Sequence, residues 1–295
     1  MSLSNLLQQL INGVSLGSLY ALIAIGYTMV YGILRLINFA HGDVLMMGCY
    51  FAFYAVLIFS LPWWASFPIS ILLTALLGIA IDRGAYLPVR RAPRISALIT
   101  AIGLSFLLEN LALVIFGGRP KAFGRPDLFA EVLAWGDVRV LTLSLWIPAI
   151  TFLLIVFLLF VVYQTRTGMA MRAISRDMET VRLMGVDVNR VTSITFALGS
   201  ALAAAGGIMW ALKFPQIDPY MGIIPGLKAF VAAVLGGIGN VVGAALGGLL
   251  LGILEILLVA MMPSLAGYKD AFAFIILIGI LLFRPTGIMG EKLPE

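Results

Sequence analysis

Apolar runs near the length of a bilayer crossing recur along the whole chain, and they leave it few ways to fold. They cover about 6–34, 44–60, 66–82, 95–117, 141–163, 191–212, 225–262 and 268–283. A helix needs roughly 20 apolar residues to cross the hydrocarbon core. With 62% hydrophobic and 11% charged residues, the chain leaves no stretch for a soluble domain. The expected fold is all-α, a polytopic helical membrane protein forming one domain over residues 1–295. It should have about eight transmembrane helices plus a re-entrant or broken helix. The break is expected in the seventh run, which is too long for one simple crossing and is interrupted by Gly236, Gly237, Gly239 and Asn240. A break at membrane depth is tolerated only where it is buried in protein or lines a cavity.

Basic residues set the orientation, because cytoplasmic loops keep the excess of Lys and Arg. Arg83, Arg90, Arg91 and Arg94 lie in one loop. Arg166, Arg172, Arg176, Arg182 and Arg190 lie in the stretch 164–190, and Arg284 and Lys292 in the tail. All alternate consistently if these segments share the cytoplasmic side. The loop 118–140 mixes Arg119, Lys121, Arg125 and Arg139 with Asp127, Glu131 and Asp137, and is expected outside. The uncharged N-terminus is then also outside, and a cytoplasmic tail requires an odd number of crossings. With no Lys or Arg before Arg35, no cleaved signal peptide is expected. The one cysteine, Cys49, excludes a disulfide within the chain and gives no metal cluster. The basic pI marks membrane orientation and does not indicate nucleic-acid binding.

Four constellations carry chemical interest. The first is the charged island AMRAISRDMETVRLMGVDVNR, residues 170–190. Asp177 is placed to cap a short helix over Met178–Met184, and Gly185 to stop it in the left-handed conformation. Val181 and Met184 share a face with Leu183 beside it, while Arg176, Glu179 and Arg182 show polar groups. Two readings stand: docking into a groove on a partner, or a helix lying on lipid headgroups. The second is NFAHGDVLMMG, residues 38–48, where Asn38, His41, Gly42 and Asp43 interrupt apolar sequence. A helix break here would offer backbone groups to a polar solute. The plainer reading has Asn38 and Asp43 capping helix ends and His41, the single histidine, in a fixed hydrogen bond.

The third is a set of small-residue stripes that let helix backbones touch: Gly239, Gly243 and Gly247; Gly248 and Gly252; Gly199, Ala203 and Gly207. The fourth is the trio Glu109, Lys228 and Glu255, charges inside apolar runs that should face protein or water. No enzyme is visible. A serine hydrolase would have only His41 as base, a zinc protease would need a second histidine, and the phosphate-binding motif G-x-x-x-x-G-K-[ST] is absent. No metal or cofactor is expected.

Three stretches in order resemble one family: INFAHGDVLMMGCY at 37–50, RAISRDMETVRLMGVDVNRV at 172–191 and LLFRPTGIMGE at 281–291. KAFVAAVLGGIGNVVGAALGGLLLG at 228–252 fits between them. The chain resembles the permease subunits of bacterial ABC importers for branched-chain amino acids, and more closely the shorter of the two. The resemblance spans essentially the whole chain. It implies a multi-pass permease in the bacterial inner membrane, paired with a second similar permease. It also implies two cytoplasmic ATP-binding subunits and a periplasmic protein delivering leucine, isoleucine or valine. It further implies that the island, about 164–190, couples to the ATPases. Arg176, Asp177, Glu179, Arg182, Met184 and Gly185 are the coupling candidates. The solute path is expected at Asn38, His41, Gly42, Asp43, Gly237, Gly239 and Asn240. Related permeases for urea or short amides share much of the pattern, and a proton-coupled carrier acting alone is the alternative from another class.

Overall fold

The computed structural model describes residues 3–35, 37–90 and 92–290. Arg91, Lys292 and the Arg94 side chain, all assigned above to the basic side, lie outside the described part, as does Glu291 of the last matching stretch. The order of helices is α1 Leu3–Leu34, α2 His41–Phe59, α3 Trp63–Ile81, α4 Leu87–Val89, α5 Arg94–Phe116, α6 Leu143–Gln164, α7 Arg166–Arg176, α8 Met178–Leu183, α9 Val188–Lys213, α10 Ile223–Gly236, α11 Val241–Met261 and α12 Lys269–Phe283. Among the described residues, 8 segments are long and apolar enough to cross a membrane. One of them, Trp63–Val89, runs from α3 through a π-helical turn at Asp82–Tyr86 into α4.

The seventh apolar run is divided as expected. α10 has 14 residues, or about 21 Å at 1.5 Å per residue, too short for a core of about 30 Å. After the turn at 237–240, α11 is a full crossing of 21 residues. The physical cause is at the turn itself. Asn240 caps α11 by accepting the Gly243 N–H at 2.9 Å, so a new helix starts instead of the old one continuing.

Helix packing is directed by small residues. α1 is the central post: its most apolar window is 94% buried, against 6% for Pro263–Phe283 at the rim. Gly248 and Gly252 of α11 lie directly against the backbone of α1 at Ala21 and Gly17. Gly243 and Gly247 face α10 instead. Gly239 does not extend that stripe. It lies in the turn before α11, so helical spacing does not apply to it. Gly199 of α9 meets Gly26 of α1, and Gly207 meets Leu45 of α2.

The loops sort onto two faces. On one, Arg35 reaches the Ser175 carbonyl (3.1 Å) and Arg90 reaches Asn189 (2.8 Å), joining the first and third connections to the island. The tail ends there too: Ile288 and Met289 N–H groups bond the Leu235 and Gly236 carbonyls at 2.9 Å. On the opposite face lies the 118–142 loop, which contributes three short strands. β1 Lys121–Ala122 pairs with β4 Gln216–Ile217, and β2 Val132–Trp135 forms a hairpin with β3 Val138–Leu141. The Arg139 N–H bonds Gln8 of α1 at 2.9 Å. The two ends of the described chain therefore lie on opposite faces, the geometry that an odd number of passes requires.

Candidate functional site

The site is built where two helices begin inside the bundle. α2 does not start at the island face. After Leu34 the chain turns back alongside α1, so that His41, the first residue of α2, lies against Gly26 and Ile23 of α1. Ser105, which bonds Asp43 two residues on, lies midway along α5, which shows the same depth from another side. α10 begins at the same level. A Cβ on Gly42 would overlap the Gly222 carbonyl oxygen, and one on Gly222 would overlap the Gly42 carbonyl oxygen. Only glycine at both positions lets the two N-termini touch. From this junction α2 runs to the far face and α10 to the island face. Two helix N-termini, the positive ends of their dipoles, thus meet within the bundle, an arrangement suited to an anionic group of a solute.

The polar side chains around the junction have defined partners. His41 is 2% exposed, and its Nε2 donates to the Ile23 carbonyl at 3.2 Å, with the Tyr27 ring edge-on at a centroid distance of 5.6 Å. Asn38 accepts from the Tyr86 hydroxyl at 2.9 Å. Asp43 accepts from the Ser105 hydroxyl at 2.5 Å. The expectation that Asn38 and Asp43 cap helix ends is corrected. The N-cap residue of α2 is Ala40, with no side-chain cap. Asp43 sits three positions past the N-cap, in the first turn, and accepts from Ser105 of α5, while Asn38 accepts from Tyr86.

Gly237, Gly239 and Asn240 are not brought to this junction. They lie on the island face, beside Gly32 and the tail. Asn240 is committed twice, as cap of α11 and as donor to the Met289 carbonyl at 3.1 Å. The end of α10 that meets residues 38–43 is the other one, at Gly222. In the sequence the dense glycines at 236–240 are the stronger sign of a helix break and point to the wrong end of α10. The cue was the isolated Gly222 and Gly226 in YMGIIPG.

The fixed charges form a second centre one helix away. Lys228 of α10, 2% exposed, lies 2.8 Å from Glu255 of α11 and 2.6 Å from Asp270 of α12. Tyr20 of α1 donates to Glu255 at 2.9 Å. Two of the predicted intramembrane charges are thus one buried network, and Asp270 is the member the sequence did not flag. Glu109 stands apart, buried on α5 one turn beyond Ser105.

The island is two helices, α7 and α8, set at a corner by Asp177. Its carboxylate accepts from the N–H groups of Glu179 and Thr180 at 3.0 Å. The bond from the Thr180 hydroxyl, then the backbone bonds, hold the Asp177 carboxyl below the usual carboxylate range. α8 ends at Leu183, and Gly185 follows at φ +83°. The shared apolar face read from the sequence is corrected. Val181 is buried, but Leu183 and Met184 are 88% and 78% exposed. The helix stops before Met184 can come round beneath Val181, so both side chains project from its end. Glu179 and Arg182 are exposed beside them. Asp82 ties this face together, pairing with Arg90 and accepting from Ser193 of α9, both at 2.7 Å.

The geometry sets the start of the half-length helix α10 against the start of α2 in the interior, and a charged corner with an apolar tip on one face. The chain is 42% identical to the high-affinity branched-chain amino acid transport system permease protein BraD of Pseudomonas aeruginosa, over 97% of this chain and 96% of that protein. Identity to LivH of Escherichia coli K12, a permease protein of the same description, is also 42%, over 97% and 96%. The probable branched-chain amino acid transport permease protein LivH of Methanocaldococcus jannaschii is 26% identical over 92% of this chain and 89% of its own. The family described as branched-chain amino acid transport system / permease component matches residues 9–281, and this chain belongs to it.

Proposed function

We propose that this chain is one membrane permease subunit of an ATP-driven importer for the branched-chain amino acids leucine, isoleucine and valine. It acts as a single permease domain in the bacterial inner membrane. It carries no catalysis of its own and works with a second, similar permease, two cytoplasmic ATP-binding subunits and a periplasmic binding protein. The observation that carries this reading is the island. A helix capped at Asp177, stopped at Gly185 and tipped by exposed Leu183 and Met184 suits insertion into a groove on a motor subunit. A carrier working alone has no use for it. The junction at Gly42 and Gly222 supports a solute path, with Asn38, His41 and Asp43 as its polar neighbours.

Reconstitution tests the proposal. In liposomes, the full set of subunits with ATP and loaded binding protein should accumulate leucine, and this chain alone should not. Uphill uptake by this chain alone under a pH gradient would favour a proton-coupled carrier and overturn the reading.

A further inference from the structure

Between α1, α9, α10, α11 and the start of α12 lies a cavity of about 690 Å³. It is at the end of the bundle opposite the island, where Lys213 closes α9 and Pro263 begins the last connection. Its walls are apolar, with Leu16, Trp210, Ile256 and Val259 among them. Its charges fall into two separately bonded groups, its two poles. At one pole Lys213 donates to the Ser15 hydroxyl at 2.7 Å, and among the described residues no carboxylate pairs with it. At the other pole, two carboxylates, Glu255 and Asp270, share the one ammonium of Lys228, which leaves that pole net negative. Glu255 is committed to Lys228 and Tyr20. Asp270, whose side chain is 42% exposed, gives one oxygen to Lys228 and leaves the other for a ligand. Lys269 stands exposed at the rim.

An apolar cavity with the Lys213 ammonium on its wall and a spare carboxylate oxygen at Asp270 is complementary to a ligand that is itself dipolar and apolar. We propose that this cavity is a binding site for a zwitterionic α-amino acid with an apolar side chain. The ligand carboxylate binds Lys213, its ammonium binds the second oxygen of Asp270, and its side chain lies against Trp210, Ile256 and Val259. For leucine, isoleucine or valine this names a site on the proposed transport route and rests on that reading. The zwitterion chemistry stands on the cavity alone.

Cysteine protection in the assembled importer tests it. The native Cys49 is buried, so Asn12→Cys, on the cavity wall, reports access to a small thiol reagent, with Val259→Cys as a second reporter. Leucine should slow labelling at both positions several-fold. Leucinamide, without the carboxylate, and 4-methylpentanoate, without the ammonium, should not. Lys213→Gln should abolish protection while leaving the ligand-free labelling rate unchanged, and Lys213→Arg should retain protection. If the importer transports leucine and neither reporter is protected, the site is refuted while the transport reading stands. If the importer moves no branched-chain amino acid, the transport reading fails. Protection by another zwitterionic apolar amino acid would then uphold the site, and absence of any such protection would refute it as well.

Discussion

At Gly42 one hydrogen atom in place of a methyl group decides whether two helices can begin at the same point. The cost of adding a Cβ depends on what faces it. At Gly42 the neighbour is the Gly222 backbone, which cannot move aside as a side chain can. At Gly279 of α12 nothing lies within 4 Å. Gly42→Ala should therefore lower the thermal stability of the assembled importer by about 1–3 kcal/mol or more, the range for overpacking. Gly279→Ala should be neutral or gain up to about 1 kcal/mol from helix propensity. Melting of both variants, purified side by side, checks this, and equal stabilities would show that the junction is loose. His41 shows a different residue-scale lesson. Being the single histidine made it conspicuous in the sequence, yet its bond to the Ile23 carbonyl gives it a role in holding α2 against α1.

Among the elements, the island is the one whose local chemistry is complete in itself. A capping aspartate and a stopping glycine lie within nine residues, so the sequence displays them. Gly185 is at φ +83°, where a β-branched residue is strained by about 1–2 kcal/mol. Gly185→Val should loosen the end of α8. Glu179→Lys should reverse an exposed charge of the kind that sets register with a partner. Both should reduce ATPase co-purification or stimulation by the loaded binding protein, while Glu131→Lys, on the opposite face, should leave both unchanged. Equal behaviour of all three variants would reduce the island to a surface helix. The cap is also insensitive to physiological pH. The Asp177 carboxyl titrates lower in the folded protein than its ordinary value near 3.9. Its stabilisation is therefore present above that ordinary value and is lost only as pH falls through the lower folded one. ATPase stimulation between pH 5 and 8 should show no titration attributable to this residue.

For the molecule as a whole, the network of Tyr20, Lys228, Glu255 and Asp270 joins the first helix to the last three. Removing one member of a buried pair leaves the other charge uncompensated, at about 3–5 kcal/mol. Lys228→Met should therefore destabilise the assembled importer by that order, because it leaves two carboxylates facing each other. Adding Glu255→Gln and Asp270→Asn to the same chain should recover much of the loss. A melting curve for single and triple variants decides it. A triple variant no better than the single would mean that Lys228 acts through packing of its stem and not through charge.

The all-helical membrane fold, the division of the seventh run and the two helix signals of the island were legible in the chain alone, for one physical reason. Hydrophobic length, charge bias, caps and stops are local quantities, and each acts within a few turns of its own helix. The order of the helices in space was not legible. In a membrane both lipid and protein core are apolar, so α1 at the centre and α12 at the rim carry no contrasting polar face to tell them apart. Only close backbone approach separates them, at Gly248 against Ala21 and Gly252 against Gly17. The meeting of Gly42 with Gly222, and of Lys228 with Asp270, joins residues far apart in the chain. Such contacts depend on how the surrounding helices pack, and that was decided by the tertiary structure.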